Sequence, residues 1–492
     1  MRNTRMKAMA ALATLSMTAS GVIVSVGGAA SAAAPVKFGT LASPCGKGSP
    51  SGSPDTGVSP TSVKIGYGDD AGYHDTNSAM GKAVAALIKW CNAQGGINGR
   101  TIIGDYQDAA IFNAKQAIDN MISNHDFMVV GQGYAFDSAG EGDRLAADLV
   151  SVPGFTASTD TQNAWEMYQA MPNPADYNPA SSAYAGSKLF GSAAVQKACA
   201  FRTDDLPGGA SKSSDIKVEY SYSKQGWKWG DGSGGGFGGY KTSASDFASY
   251  GCDQNVSFLA NISAPATINQ ASLNLKNSGA KTVYWAATPN ATFTSFLADN
   301  AANKFKPFIL TEASTYDPSL AKWNKKGYGD NVYTRLGFAP LESASAVPAV
   351  KQYIALVGAS NASAIGEQAA SSFLLWATAA KSCGNTLTRQ CMVNYLGKSS
   401  NFTGAKAWTG GGLQGGTNPA TNISASCGIV VHLKGTKWVQ AYPTKLGTFD
   451  CKSSYAQDTS AVLPYLPNGN QTGITLNNRH VGAGNSAIKP QA

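Results

Sequence analysis

Charge is scarce in this chain. Only 14% of its 492 residues are acidic or basic, and 38 Lys and Arg against 30 Asp and Glu leave a formal charge of +8. That excess is spread along the sequence, with no basic run and no basic–aromatic cluster. The electrostatic footprint of nucleic-acid binding is missing, and no nucleic-acid partner is expected. Histidine is scarcer still: His74, His125, His432 and His480 are the whole set, none within four residues of another. Zinc hydrolysis draws on paired histidines at helical spacing, so no metal site is expected. The acyl-transfer elbow G-x-S-x-G does not occur. Asp231-Gly-Ser-Gly imitates a calcium loop but lacks the alternating acidic ligands and the closing Glu. Past the N-terminal segment, no apolar stretch approaches the length of a membrane span. A carboxylate pair of the glycosidase kind is invisible to spacing, and a secreted hydrolase stays as the less favoured alternative.

What the chain does have begins with an export signal. Arg2, Arg5 and Lys7 precede the small and apolar Ala8–Gly28, and Ala30-Ser31-Ala32 is an A-x-A cleavage site. The segment 1–32 is read as a signal peptide, and a secreted or cell-envelope location follows. A lipid anchor would need Cys directly after the apolar region, whereas Cys45 lies far on and follows Pro44. Eight cysteines, with no C-x-x-C, suggest disulfides in an exported protein. Cys383 and Cys391 would close a short loop after a helix, and Cys427 and Cys451 would staple the last strands. Cys199 and Cys252 start two neighbouring strands, which leaves Cys45 with Cys91. Spacing suggests this pairing without fixing it.

The stretch Val63–Gly131 alternates strand and helix five times. Val63–Tyr67 and Thr101–Tyr106 are rich in β-branched residues, and Phe127–Gly131 is a short apolar run closed by Gly. Between the first two, Met80, Val84, Leu87, Ile88 and Cys91 recur at helical spacing behind Ser78 as N-cap. Gly95-Gly96 stops that helix, and Asn98-Gly99 turns into the next strand. Asn113 and Gln116 would cap a second helix bearing Ile118, Met121 and Ile122. This βαβαβ pattern predicts a parallel sheet, with ligands beyond the carboxyl ends of its strands.

A helix over Ala139–Val150 and a strand Val152–Phe155 follow, then the hydroxyl-rich loop Thr156–Asp160. Met171–Pro179 reads as a crossover into a second domain opened by a helix Ser181–Ala194 and a strand Lys197–Arg202. Asp205–Tyr250, with Trp227, Trp229, Phe237 and Tyr240 among glycines, reads as a mobile surface insertion in preference to an aromatic lid. Strands at 256–259, 282–286, 307–310 and 331–334 resume the alternation, with Thr267 and Gln270 as a capping box. The chain crosses back near Gly337–Pro340, runs a long helix over Ala364–Lys381, and crosses again near Trp408–Asn418. A hairpin, Gly428–Leu433 with Lys437–Tyr442, ends it. The tail after Pro464 is polar and expected to be disordered.

The ordered succession VKIGYGDDAG, NAQGGINGR, NAKQAIDNMISNHDFMVVGQ, SVPGFTAST and GIVVHLKGTKWVQ resembles the branched-chain amino-acid-binding branch of the ABC-transporter solute receptors. These have the type I periplasmic-binding fold. The resemblance implies an α/β protein of two Rossmann-like lobes with parallel sheets, joined by a three-crossover hinge. Lobe 1 would comprise residues 62–178 and 340–408, and lobe 2 residues 179–339 and 409–450. A Gly/Pro/Ser-rich arm, 33–61, precedes them, and an extension, 451–492, follows.

Function by resemblance is the capture of a small polar solute, an amino acid or a relative, between lobes that close on it for an ABC permease. The implied protein is a monomer without cofactor or catalysis. Carried over by position, the lobe 1 contacts would be Tyr134, Thr156, Ser158 and Thr159, whose hydroxyls suit a carboxylate. Lobe 2 would contribute Thr288 and, as partner of an ammonium, Glu312. Plain turn capping is the alternative for the hydroxyl loop, and an exposed loop position the alternative for Glu312. Asp69 and Asp70 read more simply as caps of the following turn than as cleft residues. A sensing or adhesion module on the same fold is the functional alternative.

Overall fold

The computed structural model describes residues 36–73, 79–164, 166–202, 210–230, 237–238, 252–256, 265–286, 291–421, 423–466 and 488. The export signal, Ser78, His74, Thr288, Tyr240, the strand after 256 and, residue 488 aside, the tail beyond 466 lie outside the described residues. Among the described residues, no helix is long and apolar enough to cross a membrane.

Two sheets organise the molecule. The first contains β1 (Ser62–Asp69), β2 (Thr101–Asp108), β3 (Met128–Val130) and β4 (Ser151–Val152) in the order β2-β1-β3-β4, all parallel. Helices α1 (Ala79–Asn92), α2 (Ala114–Ser123), α3 (Ser138–Ala146) and the short α4 (Thr159–Asn163) connect or follow these strands. Met80, Val84, Leu87 and Cys91 form the buried stripe of α1, as their spacing predicts. After α1, Gly95, Gly96 and Gly99 all have positive φ. At Gly96 a Cβ would come within 1.9 Å of Arg100 O, so this turn requires glycine.

The second sheet follows α5 (Ser181–Leu189). It contains β5 (Ala198–Arg202), β6 (Trp229–Gly230), β7 (Thr282–Trp285), β8 (Phe308–Thr311) and β9 (Val332–Leu336). Helices α6 (Ala210–Ser223), α7 (Pro265–Ser278) and α8 (Ala291–Ala302) intervene. From β6 the order runs β6-β5-β7-β8-β9 in parallel. The chain then returns to the first sheet through α9 (Pro348–Val357), α10 (Ala364–Cys383) and α11 (Arg389–Leu396). Phe373, Leu374, Leu375 and Trp376 of α10 share one core with Val84 and Leu87 of α1. Finally β10 (Cys427–Lys434) and β11 (Lys437–Tyr442) add an antiparallel edge beside β9. The chain thus passes between the sheets three times, within one packed unit that begins at Lys37.

Four disulfides close, Cys45–Cys91, Cys199–Cys252, Cys383–Cys391 and Cys427–Cys451, the same pairs the spacing suggested. The N-terminal arm is more than an extended lead. Lys37–Phe38 pairs with Leu41–Ala42, and the fully buried Arg100 stitches the arm down. Its Nε donates to Ser59 O at 2.8 Å and its Nη2 to Ser51 O at 3.2 Å, while Nη1 reaches Gly384 O at 3.1 Å. Of the C-terminal extension, Ala456–Asp458 pairs with Tyr177–Pro179, and Val462 packs with Ala175 and Ile216.

Several local expectations need correction. Asn113 makes no side-chain cap bond, and Gln116 Nε2 bonds Asn120 instead. Thr267 lies inside α7 rather than ahead of it. The helix expected over Ser181–Ala194 stops at Leu189 and restarts at Ser192, because Gly191 takes φ 82°. The largest correction concerns Asp205–Tyr250, which is neither an insertion nor a lid over its described part. Residues 210–223 are helix α6, and Trp227 and Trp229 are core residues at 1% exposure, packed with Tyr222 and Tyr284.

Candidate functional site

Parallel strands leave their carboxyl ends open, because each chain must turn there into a helix on one face of the sheet. Here the ends of β3, β4, β7, β8 and β9 border one cavity of about 280 Å³. Lobe 1 contributes Ala135 after β3, Gly154–Ala157 after β4, and Gln162 of α4. Lobe 2 contributes Ser213, Ser214 and Lys217 of α6, Ala286 after β7, Glu312–Ser314 after β8, and Arg335–Gly337 at the end of β9. Crossover residues Met171–Asn173 and Asn178–Pro179 line the side, and α10 adds Ile365 and Gln368. Gly154 lets that helix approach, since a Cβ there would meet Ala369 Cα and Gly131 O, both at 3.1 Å.

The lobe 1 wall is braced by one half-buried carboxylate. Asp137, at the start of α3, accepts the amide protons of Ala157 at 2.7 Å and Ser158 at 3.0 Å. Burial pushes its carboxyl up to about 7, against the pull of those two amides. Thr156 Oγ1 accepts from Gln169 Nε2 at 2.9 Å, which leaves its own proton to donate. The carboxylates of Asp69 and Asp70 serve as internal ties. Asp69 takes the amides of Ala71 and Gly81, and Asp70 those of Ile111 and Ala135.

The lobe 2 wall is built on charge. Glu312 accepts from Arg335 Nε through one oxygen and from Tyr284 Oη through the other. Arg335 Nη1 also donates to Pro179 O at 2.7 Å, which ties the pair to the first crossover. Burial works against the Arg335 charge, but Glu312 holds the guanidinium above its ordinary range. Burial, and then Glu312, keeps the Tyr284 phenol well above its usual value. Ser214 Oγ lies 2.7 Å from Tyr284 Oη, so α6 joins the same network. Lys217 Nζ donates to Pro174 O at 3.1 Å.

Of the site residues expected from sequence, the structure brings Thr156 and Glu312 to the cavity. Glu312 meets it already neutralised by Arg335, not as a lone carboxylate. Tyr134 is displaced from the wall. Its ring packs with Ile118, Met121 and Leu149, where apolar burial favours it, and its hydroxyl donates to Gln107 O at 3.3 Å. Ser158 caps α4 by accepting from Thr161 N at 3.3 Å, and Thr159 is buried at the first position of that helix. Those two serve local structure. The sequence reading missed Arg335, Lys217, Ser213, Ser214, Gln162 and Gln368. Only Arg335 carried a signal, as a charged residue near the carboxyl end of a strand in a parallel sheet.

One further grouping has metal-ligand character among the described residues: Cys199, Cys252 and Asp253. The two sulfurs are joined in a disulfide, so neither can offer a thiolate.

No protein-family model matches the sequence. No curated protein matches it either. Solved structures do. The fatty acid ABC transporter substrate-binding protein from Thermomonospora curvata is similar with TM-score 0.57 and 15% identity, over 84% of this chain and 97% of that one. The branched-chain amino acid transporter substrate-binding protein from Streptococcus pneumoniae, in complex with isoleucine, gives TM-score 0.55 and 14% identity, over 77% and 100%. An ABC transporter solute-binding protein from R. palustris, in complex with 4-hydroxybenzoate, gives 0.54 and 13%, over 81% and 96%. Two α/β sheets, three passages between them and a cavity at their facing strand ends are features of one architecture, and the chain has the type I periplasmic-binding fold.

Proposed function

We propose that this chain is a non-catalytic, extracellular solute receptor that captures a small polar molecule between its lobes for an ABC importer. The observation that carries the reading is a cavity shared by the strand ends of both sheets and by the crossovers. A site so placed changes shape when the lobes hinge, which couples occupancy to a surface that a permease can read. At about 280 Å³ the cavity lies at the small end of ligand sites, which run from roughly 300 to 1,000 Å³. An amino acid fits that volume. Its ammonium, however, would have to share Glu312 with Arg335.

The test is a thermal-shift screen of the chain after unfolding and refolding to strip carried-over ligand. It should span amino acids, amides, polyols, sugars and carboxylic acids. At 100 times its dissociation constant a ligand adds about 2.7 kcal/mol to the folded state. A shift confined to one chemical class is expected. No shift with any class would remove the receptor reading.

A further inference from the structure

Three residues that line the cavity each carry a buried polar atom with no hydrogen-bond partner among the described residues: Gln162 Oε1, Ser213 Oγ and Gln368 Oε1. They stand on α4 of lobe 1, α6 of lobe 2, and α10, so they approach one space from three elements. Gln162 and Ser213 are only 5% and 2% exposed. Bulk water therefore does not satisfy them, and a buried polar group without a partner is costly. The Gln162 amide is oriented by its own Nε2, which donates to Ala157 O at 3.4 Å. Its oxygen can only accept.

A solute that satisfies the two glutamine oxygens brings N–H or O–H donors to two sides, whereas Ser213 Oγ can either donate or accept. The solute also meets a donor, the unused proton of Thr156. Charge narrows the choice further. Among the described residues, Glu312 is the acidic side chain of this wall, and Arg335 and Tyr284 occupy both of its oxygens. Among the described residues, no other carboxylate lines this wall. The Lys217 ammonium is directed to Pro174 O.

We propose that the captured solute is uncharged and carries hydrogen-bond donors on opposite sides, the chemistry shared by small primary amides or ureas and by small polyols. This rests on the solute-capture reading above and gives that site its substrate class.

Isothermal titration calorimetry on the refolded chain tests it, with urea and acetamide as one arm and glycerol and erythritol as the other. Leucine, glutamate and propionate serve as charged competitors. One uncharged arm should saturate at one site per chain, and which arm it is separates amide from polyol. Gln162→Leu should weaken that binding tenfold or more, and Ser213→Ala severalfold, with each variant's urea midpoint showing that it folds. Preferred binding of a charged competitor overturns the substrate class and leaves solute capture standing. Uncharged binding untouched by both substitutions also overturns it. No binding by any compound overturns both readings.

Discussion

The two walls of the cavity are held in place by opposite means. In lobe 1 the half-buried carboxylate of Asp137, with no basic partner among the described residues of the wall, spends its oxygens on the amides of Ala157 and Ser158. In lobe 2 the carboxylate of Glu312 is half-exposed and is met by a guanidinium and a phenol. The first arrangement fixes backbone, so the 157–158 end of the loop depends on one side chain, while Gln132 O holds the amides of Gly154 and Phe155. The second fixes side chains, and the load is shared by α6, β7, β8, β9 and the first crossover. A wall that hangs on one group should fail at once when that group is removed. A networked wall should fail by degrees.

Asp137→Ala carries the largest expected effect. Two buried amides lose their acceptor, at about 1–3 kcal/mol each, so urea denaturation should show a loss of about 2–6 kcal/mol. Asp137→Asn keeps one acceptor oxygen and should recover roughly half of that. An equal loss from both substitutions would break the single-acceptor account of the lobe 1 wall.

In lobe 2, Arg335→Met should cost about 1–2 kcal/mol, between the values for exposed and buried pairs, because Glu312 keeps partial access to water. Adding Glu312→Gln should return part of the loss, since the stranded charge goes with it. A double-mutant cycle checks this, and strict additivity would mean that the pair does not act as a unit.

The pH dependence is common to both lobes, since burial also raises Glu219 and Asp253 of lobe 2. Burial pushes Asp126, Asp137 and Glu166, all in lobe 1, up to about 7. Between the ordinary carboxyl range near pH 4 and pH 7, the folded chain keeps protons that the unfolded chain has released. The contribution of these groups is therefore full below about pH 4 and is lost as pH rises through 7. The urea midpoint should rise when pH is lowered from 8 to 5, and Asp137→Asn should flatten the slope. The smallest effect expected is that of Ser214→Ala, about 0.5–1 kcal/mol, because Tyr284 still donates to Glu312.

Some of this was legible in advance and some was not, for definite reasons. The α1 stripe and the Gly95–Gly99 turn depend on neighbours along the chain, and both stand where periodicity and turn chemistry put them. Helix α6 escaped because ASKSSDIKVEYSYS shows no apolar stripe. Ser211, Ser213, Asp215, Lys217, Glu219 and Ser221 are buried along with Ile216 and Val218, so the helix is covered on nearly every side. Amphipathic periodicity exists only where one face meets water. Tyr134 and Ser158 were drawn to the site by their position after a strand, but position along the chain does not say which way a side chain turns. Glu312 was placed correctly at a strand end, while its guanidinium partner lies 23 residues away on β9.

By itself the sequence determined the alternation of strand and helix, the parallel first sheet and the strand ends beside which the cavity lies. These follow from side-chain periodicity, glycine's backbone freedom and the twist of linked strands, all of them short-range. Only the tertiary structure decided which groups line the cavity, that Glu312 arrives already paired, and that Gln162 Oε1, Ser213 Oγ and Gln368 Oε1 have no partner among the described residues. Those outcomes depend on contacts among segments far apart in the chain, where burial and hydrogen-bond satisfaction, not local pattern, set the energy.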